Sequence, residues 1–295
     1  MKVVKAKSIG FCPGVQRAFN LTFETLNQSG TSPVYLLGEL VHNRQAVEEL
    51  QTRGARLIHA VSEIKGDSWV ISRSHGLEKE TLVALEEKGV RLVNTTCPRV
   101  KKVQLLAQKL NQDNFSLVIL GNLFHPEIKA LLSYIDGKAL VLGGKEEEWE
   151  RSLSHPAWKG RPAIIEQTTF PIRSFLQFKN WLRNKGLEEK TKLFSTLCLE
   201  TGNRQQELRE KIQKEGIERV IVIGGKQSSN TRALFLVAKE EGIPTIWIEK
   251  ADELDLSLVN QGLVLVTSGT STPNWIVEEV VKRLEKFSQG EKIES

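Results

Sequence analysis

Three cysteines, each ending an apolar run and opening a helix, constrain this chain more than any other feature. SIGFCPGVQRAF (8–19) sets Cys12 on a Pro-Gly turn, VRLVNTTCPRVKKV (90–103) carries Cys97, and KLFSTLCLETGNRQQEL (192–208) carries Cys198. No other cysteine occurs in the 295 residues. N–H groups at a helix N-terminus stabilise a thiolate, which favours metal ligation over inert burial. The three therefore read as one converging set. An odd number of cysteines also argues against a secreted disulfide framework and for a reducing, cytoplasmic compartment. The polar start MKVVKAKSIG is unlike a signal peptide, and no apolar run approaches the ~18 residues of a membrane span.

Strands alternate with helices throughout. Residues 1–12 read as a strand, 15–28 as a helix, 33–40 as a strand before His42-Asn43-Arg44, and 44–53 as a helix. A strand at 67–74 then ends at His75-Gly76, and a helix over 79–89 stops at Gly89. The middle third repeats this with strands at 91–97, 115–121 and 162–169, a helix from 98 to 111, the turn His125-Pro126-Glu127, and a charged insertion near 145–160. The last third runs from a strand at 192–198 through a helix to about 214. Strands at 218–225, before Lys226-Gln227-Ser228-Ser229-Asn230, and at 262–269, before Thr270-Ser271-Thr272-Pro273, complete it.

An internal repeat of about 90 to 100 residues follows, visible in the order of the polar turns. It predicts an α/β protein of three similar lobes with small parallel sheets, spanning 1–96, 97–193 and 194–285, with a polar tail at 286–295. Ligands gather at the carboxyl ends of parallel strands, where every polar turn named above falls. The economical packing is pseudo-threefold, with the strand ends aimed at a common centre.

Three thiolates suit either a tetrahedral zinc with one open position or three irons of a [4Fe–4S] cluster. Without any CxxC pair, a larger object at the centre of a pocket is favoured over a structural zinc. The plainer reading is three small buried hydrophobes. Glu127, beside His125, supplies a proton if a closed pocket desolvates its carboxyl group, and is otherwise a helix-start charge. Ser228, Ser229 and Asn230 offer hydroxyls, an amide and helix N–H groups to a phosphate, or serve as a simple N-cap. With Ser271 and Thr272 nearby and His42 and His75 facing them, a diphosphate can be held without magnesium. Neither a P-loop nor a dinucleotide fingerprint is present. A net charge of +5 and pI near 9.0, from basic residues scattered among acidic ones, gives little support to nucleic-acid binding.

Nine short motifs occur in order: GFCPGV, ELVHNR, RSHG, TTCPRV, HPE, EQTT, TGNRQ, SSNT and SGTSTP. Together they resemble the LytB/IspH family of 4-hydroxy-3-methylbut-2-enyl diphosphate reductases, over about residues 1–285. The resemblance implies three lobes around a central [4Fe–4S] cluster with three cysteine ligands, Cys12, Cys97 and Cys198, and a fourth iron open to substrate. It also implies diphosphate contacts at His42, His75, Ser228, Ser229, Asn230 and Ser271. Proton delivery falls on Glu127, assisted by His125 and Thr168, which also border the substrate. The implied reaction is reductive dehydroxylation of an allylic diphosphate, the last step of the non-mevalonate isoprenoid pathway, with electrons from a ferredoxin or flavodoxin type donor. Two departures stand out: Asn122-Leu123-Phe124 replace smaller or more polar residues, which bears on pocket shape, and Gln227 replaces a frequent asparagine. An aconitase-like hydro-lyase, a paralogue acting on another allylic diphosphate, an iron–sulfur sensor and a three-cysteine zinc hydrolase are the competing readings.

Overall fold

The computed structural model describes residues 1–136, 139–259 and 261–291, and it realises the strand–helix alternation as three four-stranded parallel sheets. In the first third the order is β1 (Lys2–Lys5), α1 (Pro13–Gln28), β2 (Val34–Leu37), α2 (Arg44–Thr52), β3 (Ala55–Ile58), β4 (Trp69–Ile71), α3 (Lys79–Glu87) and β5 (Arg91–Val93). Then follow α4 (Pro98–Gln112), β6 (Ser116–Leu120), α5 (Pro126–Ser133), β7 (Ala139–Leu142), α6 (Glu146–Arg151), β8 (Pro162–Glu166), α7 (Ile172–Asn184) and β9 (Lys192–Leu193). The last third holds α8 (Leu199–Glu215), β10 (Arg219–Ile223), α9 (Ser229–Glu240), β11 (Thr245–Ile248), β12 (Leu263–Ser268) and α10 (Asn274–Ser288).

One topology is used three times. The sheet orders are β3-β2-β4-β5, β7-β6-β8-β9 and β11-β10-β12-β1. In each, the first strand crosses to one neighbour, the third lies on its other side, and the fourth closes the edge. The third sheet takes its fourth strand from the other end of the chain, with Lys2 opposite Leu263 and Lys5 opposite Val266. This corrects the lobe boundaries drawn from the sequence at 1–96, 97–193 and 194–285. The first strand belongs to the last sheet, while the stretches at 91–97 and 192–198 close the sheets before them. The physical reason is edge pairing: the last third has three strands of its own, and β1 covers the open edge of β12. The polar tail expected from residue 286 also needs correcting, since α10 continues to Ser288; residues 292–295 lie outside the described residues.

The described residues form two compact units, one of residues 1–16, 41–52 and 199–295, the other of residues 17–40 and 53–198. In the first unit, β10 and β12 bury both faces. Ile221, Ile223, Val264 and Val266 pack with Ile276, Val277, Val280 and Leu284 of α10, while Val220, Val222 and Leu265 pack with Leu208 of α8 and Leu234 and Val237 of α9. That period-two split is what helices on both sides of a parallel sheet require. In the second unit Val118, Leu120 and Ile164 face one core and Leu117, Ile119, Ala163 and Ile165 another. The charged stretch near 145–160 is no mere insertion: it buries Trp149 and Trp158, and Trp149 lies edge-on to Phe178 at 5.1 Å. Among the described residues no helix is long and apolar enough to cross a membrane.

The pairing of β1 with β12 makes a prediction. Deleting residues 1–6 should strip hydrogen-exchange protection from β12 amides near the opposite end of the chain, while β6 and β8 keep theirs. Unchanged protection in β12 would contradict the pairing.

Candidate functional site

In each sheet the strand order reverses between the first and third strands, and such a switch point opens a crevice at the carboxyl ends. His42 and His75 follow β2 and β4, His125-Glu127 and Thr168 follow β6 and β8, and Ser228–Asn230 and Ser271 follow β10 and β12. These polar residues therefore lie in the turn, or at the helix start, that follows one of these paired strands.

Within the unit of residues 17–40 and 53–198, Glu127 lies in the first turn of α5 and is 3% exposed. Its Oε1 accepts the Thr168 N–H at 2.7 Å, and its Oε2 is paired with the Thr168 hydroxyl at 2.8 Å. Burial raises its pKa from 4.5 to about 7, although both Thr168 bonds pull it down. Such a carboxyl group is partly protonated at neutral pH and can give a proton away. His125 caps α5 by accepting the Glu127 N–H on Nδ1 at 3.1 Å. In the neutral ring the proton must then sit on Nε2, which becomes a donor. The His75 ring stands edge-on to it, 5.2 Å between centroids.

Within the other unit, Ser228 caps α9 by accepting the Thr231 N–H at 3.3 Å. Ser229 opens that helix, half-buried. Asn230 is 3% exposed, yet neither atom of its amide has a hydrogen-bond partner among the described residues. Leaving such groups buried costs about 1–3 kcal/mol, so their retention points to a ligand. The Ser271 hydroxyl donates to the His42 carbonyl at 3.3 Å, which brings His42 beside the end of β12. A Cβ at Gly225 would lie 2.5 Å from that carbonyl, and one at Gly269 only 2.0 Å from Thr231 Oγ1. Glycine at these two positions lets the ends of β10 and β12 close around a small polar recess.

None of the three cysteines forms a disulfide among the described residues, and all three are half-buried. Each donates its backbone N–H to a carbonyl in the turn after a third strand: Cys12 to Thr270 at 3.0 Å, Cys97 to Ser74 at 2.9 Å and Cys198 to Thr168 at 2.7 Å. Cys12 and Cys97 accept from the residue four later, so they stand at the starts of α1 and α4. As thiolates, all three are soft ligands suited to iron–sulfur or zinc chemistry.

One feature was not visible as a site element in the sequence. Arg204, inside the TGNRQ motif, is 3% exposed and bonds the carbonyls of Ser268 and Gly10 at 2.9 and 2.8 Å. Its signal was a lone arginine on the helix face that follows Cys198. In the Asn122-Leu123-Phe124 departure the two bulky side chains are exposed, Leu123 at 48% and Phe124 at 77%. Asn122 meanwhile ties the turn, its N–H donating to Gln167 Oε1 at 3.0 Å.

Comparison with known proteins agrees with this geometry. The LytB protein family model matches residues 3–285. A 4-hydroxy-3-methylbut-2-enyl diphosphate reductase from Nitratiruptor is 35% identical over 289 residues, covering 97% of this chain and 99% of its own. The enzyme of that name from Dictyoglomus thermophilum is 36% identical over 283 residues, covering 96% and 95%. Among solved structures, (E)-4-hydroxy-3-methyl-but-2-enyl diphosphate reductase, described as the terminal enzyme of the non-mevalonate pathway, superposes with a TM-score of 0.71 at 33% identity, covering 97% of this chain and all of its own. A Plasmodium falciparum structure shares the fold, with a TM-score of 0.87 at 23% identity, covering 95% of this chain and 87% of its own.

The raised pKa of Glu127 fixes the sign of a pH effect. The folded state holds this proton more tightly than the unfolded chain, so the stability it contributes is present below pH 4.5 and is lost as pH rises through about 7. Metal-free Glu127→Gln protein should lack that component, with its denaturation midpoint falling less over this window than the wild type's. Parallel curves for the two proteins would contradict the assignment.

Proposed function

The chain belongs to the LytB protein family, and from that membership we propose that it acts as a 4-hydroxy-3-methylbut-2-enyl diphosphate reductase. The reaction breaks the bond between the allylic carbon and its hydroxyl oxygen, consuming two electrons and two protons. One proton leaves with the oxygen as water and the other goes to carbon, giving isopentenyl or dimethylallyl diphosphate. The observation that carries the reading is Glu127, buried, poised near pH 7 and gripped by Thr168. No role in stabilising α5 asks for an uncharged carboxyl group there.

Cys12, Cys97 and Cys198 are the residues that would hold an iron–sulfur cluster, read as [4Fe–4S] with three cysteine ligands and the fourth iron open to substrate. Their chemistry fits: they are soft sulfur ligands, outside any disulfide among the described residues, in three matching turns. Such a cluster supplies the electrons, received one at a time from a ferredoxin or flavodoxin type donor.

The chain's own residues do the rest. Asn230, with Ser228, Ser229 and Ser271, binds the diphosphate, the unpaired amide contributing both a donor and an acceptor. His42 and His75 add ring nitrogens to that anion. Glu127, when protonated, donates from Oε2 to the Thr168 hydroxyl, which passes its own hydrogen to the departing oxygen. His125 keeps the base of this relay in place through the Glu127 N–H and presents Nε2–H to substrate. A reducing cytoplasm is the compartment this reading calls for, since it keeps thiols available as ligands.

Three outcomes test this reading. Anaerobically prepared protein should be brown with close to four irons per chain, and should turn over substrate only with a reductant; changing Cys12, Cys97 or Cys198 to Ser should each lose most of the iron. Full iron in all three variants removes the ligand assignment, and turnover without reductant favours a hydro-lyase. Asn230→Ala should weaken pyrophosphate binding by about tenfold or more, from the loss of charge-assisted hydrogen bonds, with iron unchanged. Glu127→Gln should lower turnover on the order of 10²-fold with little change in substrate affinity. A near wild-type rate would move the acid elsewhere.

A further inference from the structure

A second hydrogen-bond pattern recurs two residues upstream of each cysteine. Before Cys97, the Thr95 N–H donates to Ser72 Oγ at 2.8 Å, and the Thr95 hydroxyl donates to the Ser72 carbonyl. Before Cys198, the Thr196 N–H donates to Glu166 Oε2 at 2.6 Å and the Thr196 hydroxyl to the Glu166 carbonyl, also at 2.6 Å. The Glu166 N–H returns a bond to Thr196 Oγ1 at 2.7 Å. Before Cys12, the Gly10 N–H donates to Ser268 Oγ at 2.8 Å.

The third case explains its own difference. Gly10 has φ +78°, and a Cβ there would lie 1.6 Å from Asn274 Oδ1, so no threonine fits. The Ser268 carbonyl receives Arg204 Nη1 instead, while Nη2 holds the Gly10 carbonyl. Arg204 stands in for the missing hydroxyl.

Ser72, Glu166 and Ser268 occupy one equivalent position. Each lies two residues before the carbonyl that accepts the cysteine N–H, namely that of Ser74, Thr168 and Thr270. All three are at most 1% exposed. Each cysteine segment is thus held at two alternate N–H groups, one by a side chain and one by a backbone carbonyl.

We propose that Ser72, Glu166 and Ser268, the last completed by Arg204, are positioning residues that fix the directions of the Cys97, Cys198 and Cys12 thiols. They act through the residue two before each cysteine, so that it enters its helix from a held segment. Glu166 is the informative member, because the other two repeats manage with serine. The consequence for iron rests on the cluster reading above; the clamp itself can be tested without iron.

The test is site-resolved alkylation of metal-free full-length protein by iodoacetamide, followed by mass spectrometry. Thr196→Val and Glu166→Leu should each speed modification of Cys198 by about tenfold, as expected for one or two lost hydrogen bonds, leaving Cys12 and Cys97 at wild-type rates. Thr95→Val should shift the effect to Cys97, and Arg204→Leu to Cys12. Glu166→Gln, which keeps an acceptor oxygen for the Thr196 N–H, should restore the wild-type Cys198 rate. An equal rise at all three cysteines would mark general loosening and overturn the proposal. So would unchanged rates in Thr196→Val and Thr95→Val, or a Gln variant behaving like Leu. Failure of wild-type protein to take up iron would sink the cluster reading while leaving this pattern to decide the clamp.

Discussion

The hydrogen bond from each cysteine N–H to the turn after a third strand is the constraint on which the placement of the chemistry depends. Ladder pairing alone does not reach the thiols: β9 is two residues long and pairs with β8 only at Ala163–Lys192 and Ile164–Leu193. Beyond it, Cys198 is held by its bond to the Thr168 carbonyl. A single such bond contributes about 1 kcal/mol net, but leaving its groups buried and unmade costs more, so the segment is strongly directed. Thr168 is thereby shared. Its carbonyl holds a thiol-bearing residue, and its N–H and hydroxyl hold Glu127. A shift in the turn after β8 would disturb the Glu127 carboxyl group and Cys198 together.

Much of this was legible in the sequence because function punctuates it. Cysteine, histidine and serine-rich turns interrupt apolar runs at strand ends, and the order of those turns exposes the repeat. Edge strands were not legible. Ala55–Ile58, Ala139–Leu142 and Thr245–Ile248 are four-residue segments, and each pairs with only one neighbour. Nor was the exchange of β1 visible, because KVVK pairs as well by periodicity with either end of the chain; the register against β12 decides it. Glu166 read as part of a motif, and its position at the end of a buried strand gave no sign that its side chain reaches toward the Cys198 segment.

Glu127 shows how the fold can set a carboxyl group's protonation against local preference. Three effects favour its anion: the first turn of α5, the Thr168 N–H and the Thr168 hydroxyl. Burial opposes all three and prevails, moving the pKa from 4.5 to about 7, roughly 3 kcal/mol of preference for the neutral form. Glu166 is a useful contrast two residues from Thr168. Burial raises its pKa as well, but Thr196 bonds keep its carboxyl group directed at the Cys198 segment. One strand end therefore carries a threonine matched to an acid that can exchange a proton and a second acid engaged in holding backbone.

The recess formed by the ends of β10 and β12 carries the complementary cost. Asn230 keeps both amide atoms buried and unpaired, and Thr231 Oγ1 is in the same state. A valine or leucine at either position would remove that penalty and pack against the neighbouring Ala233 and Leu234 of α9, so stability alone would select against the polar residues. The same groups become an asset once an anion arrives, because hydrogen bonds to a charged partner are worth about 1.5–3 kcal/mol each and the groups need not be stripped of water at binding. Gly225, which lets His42 approach the end of β10, serves that end too, since it leaves room for an anion's acceptor oxygens without a side chain in the way. On the proposed reading, what looks like poor internal pairing in this recess is preorganisation for a diphosphate.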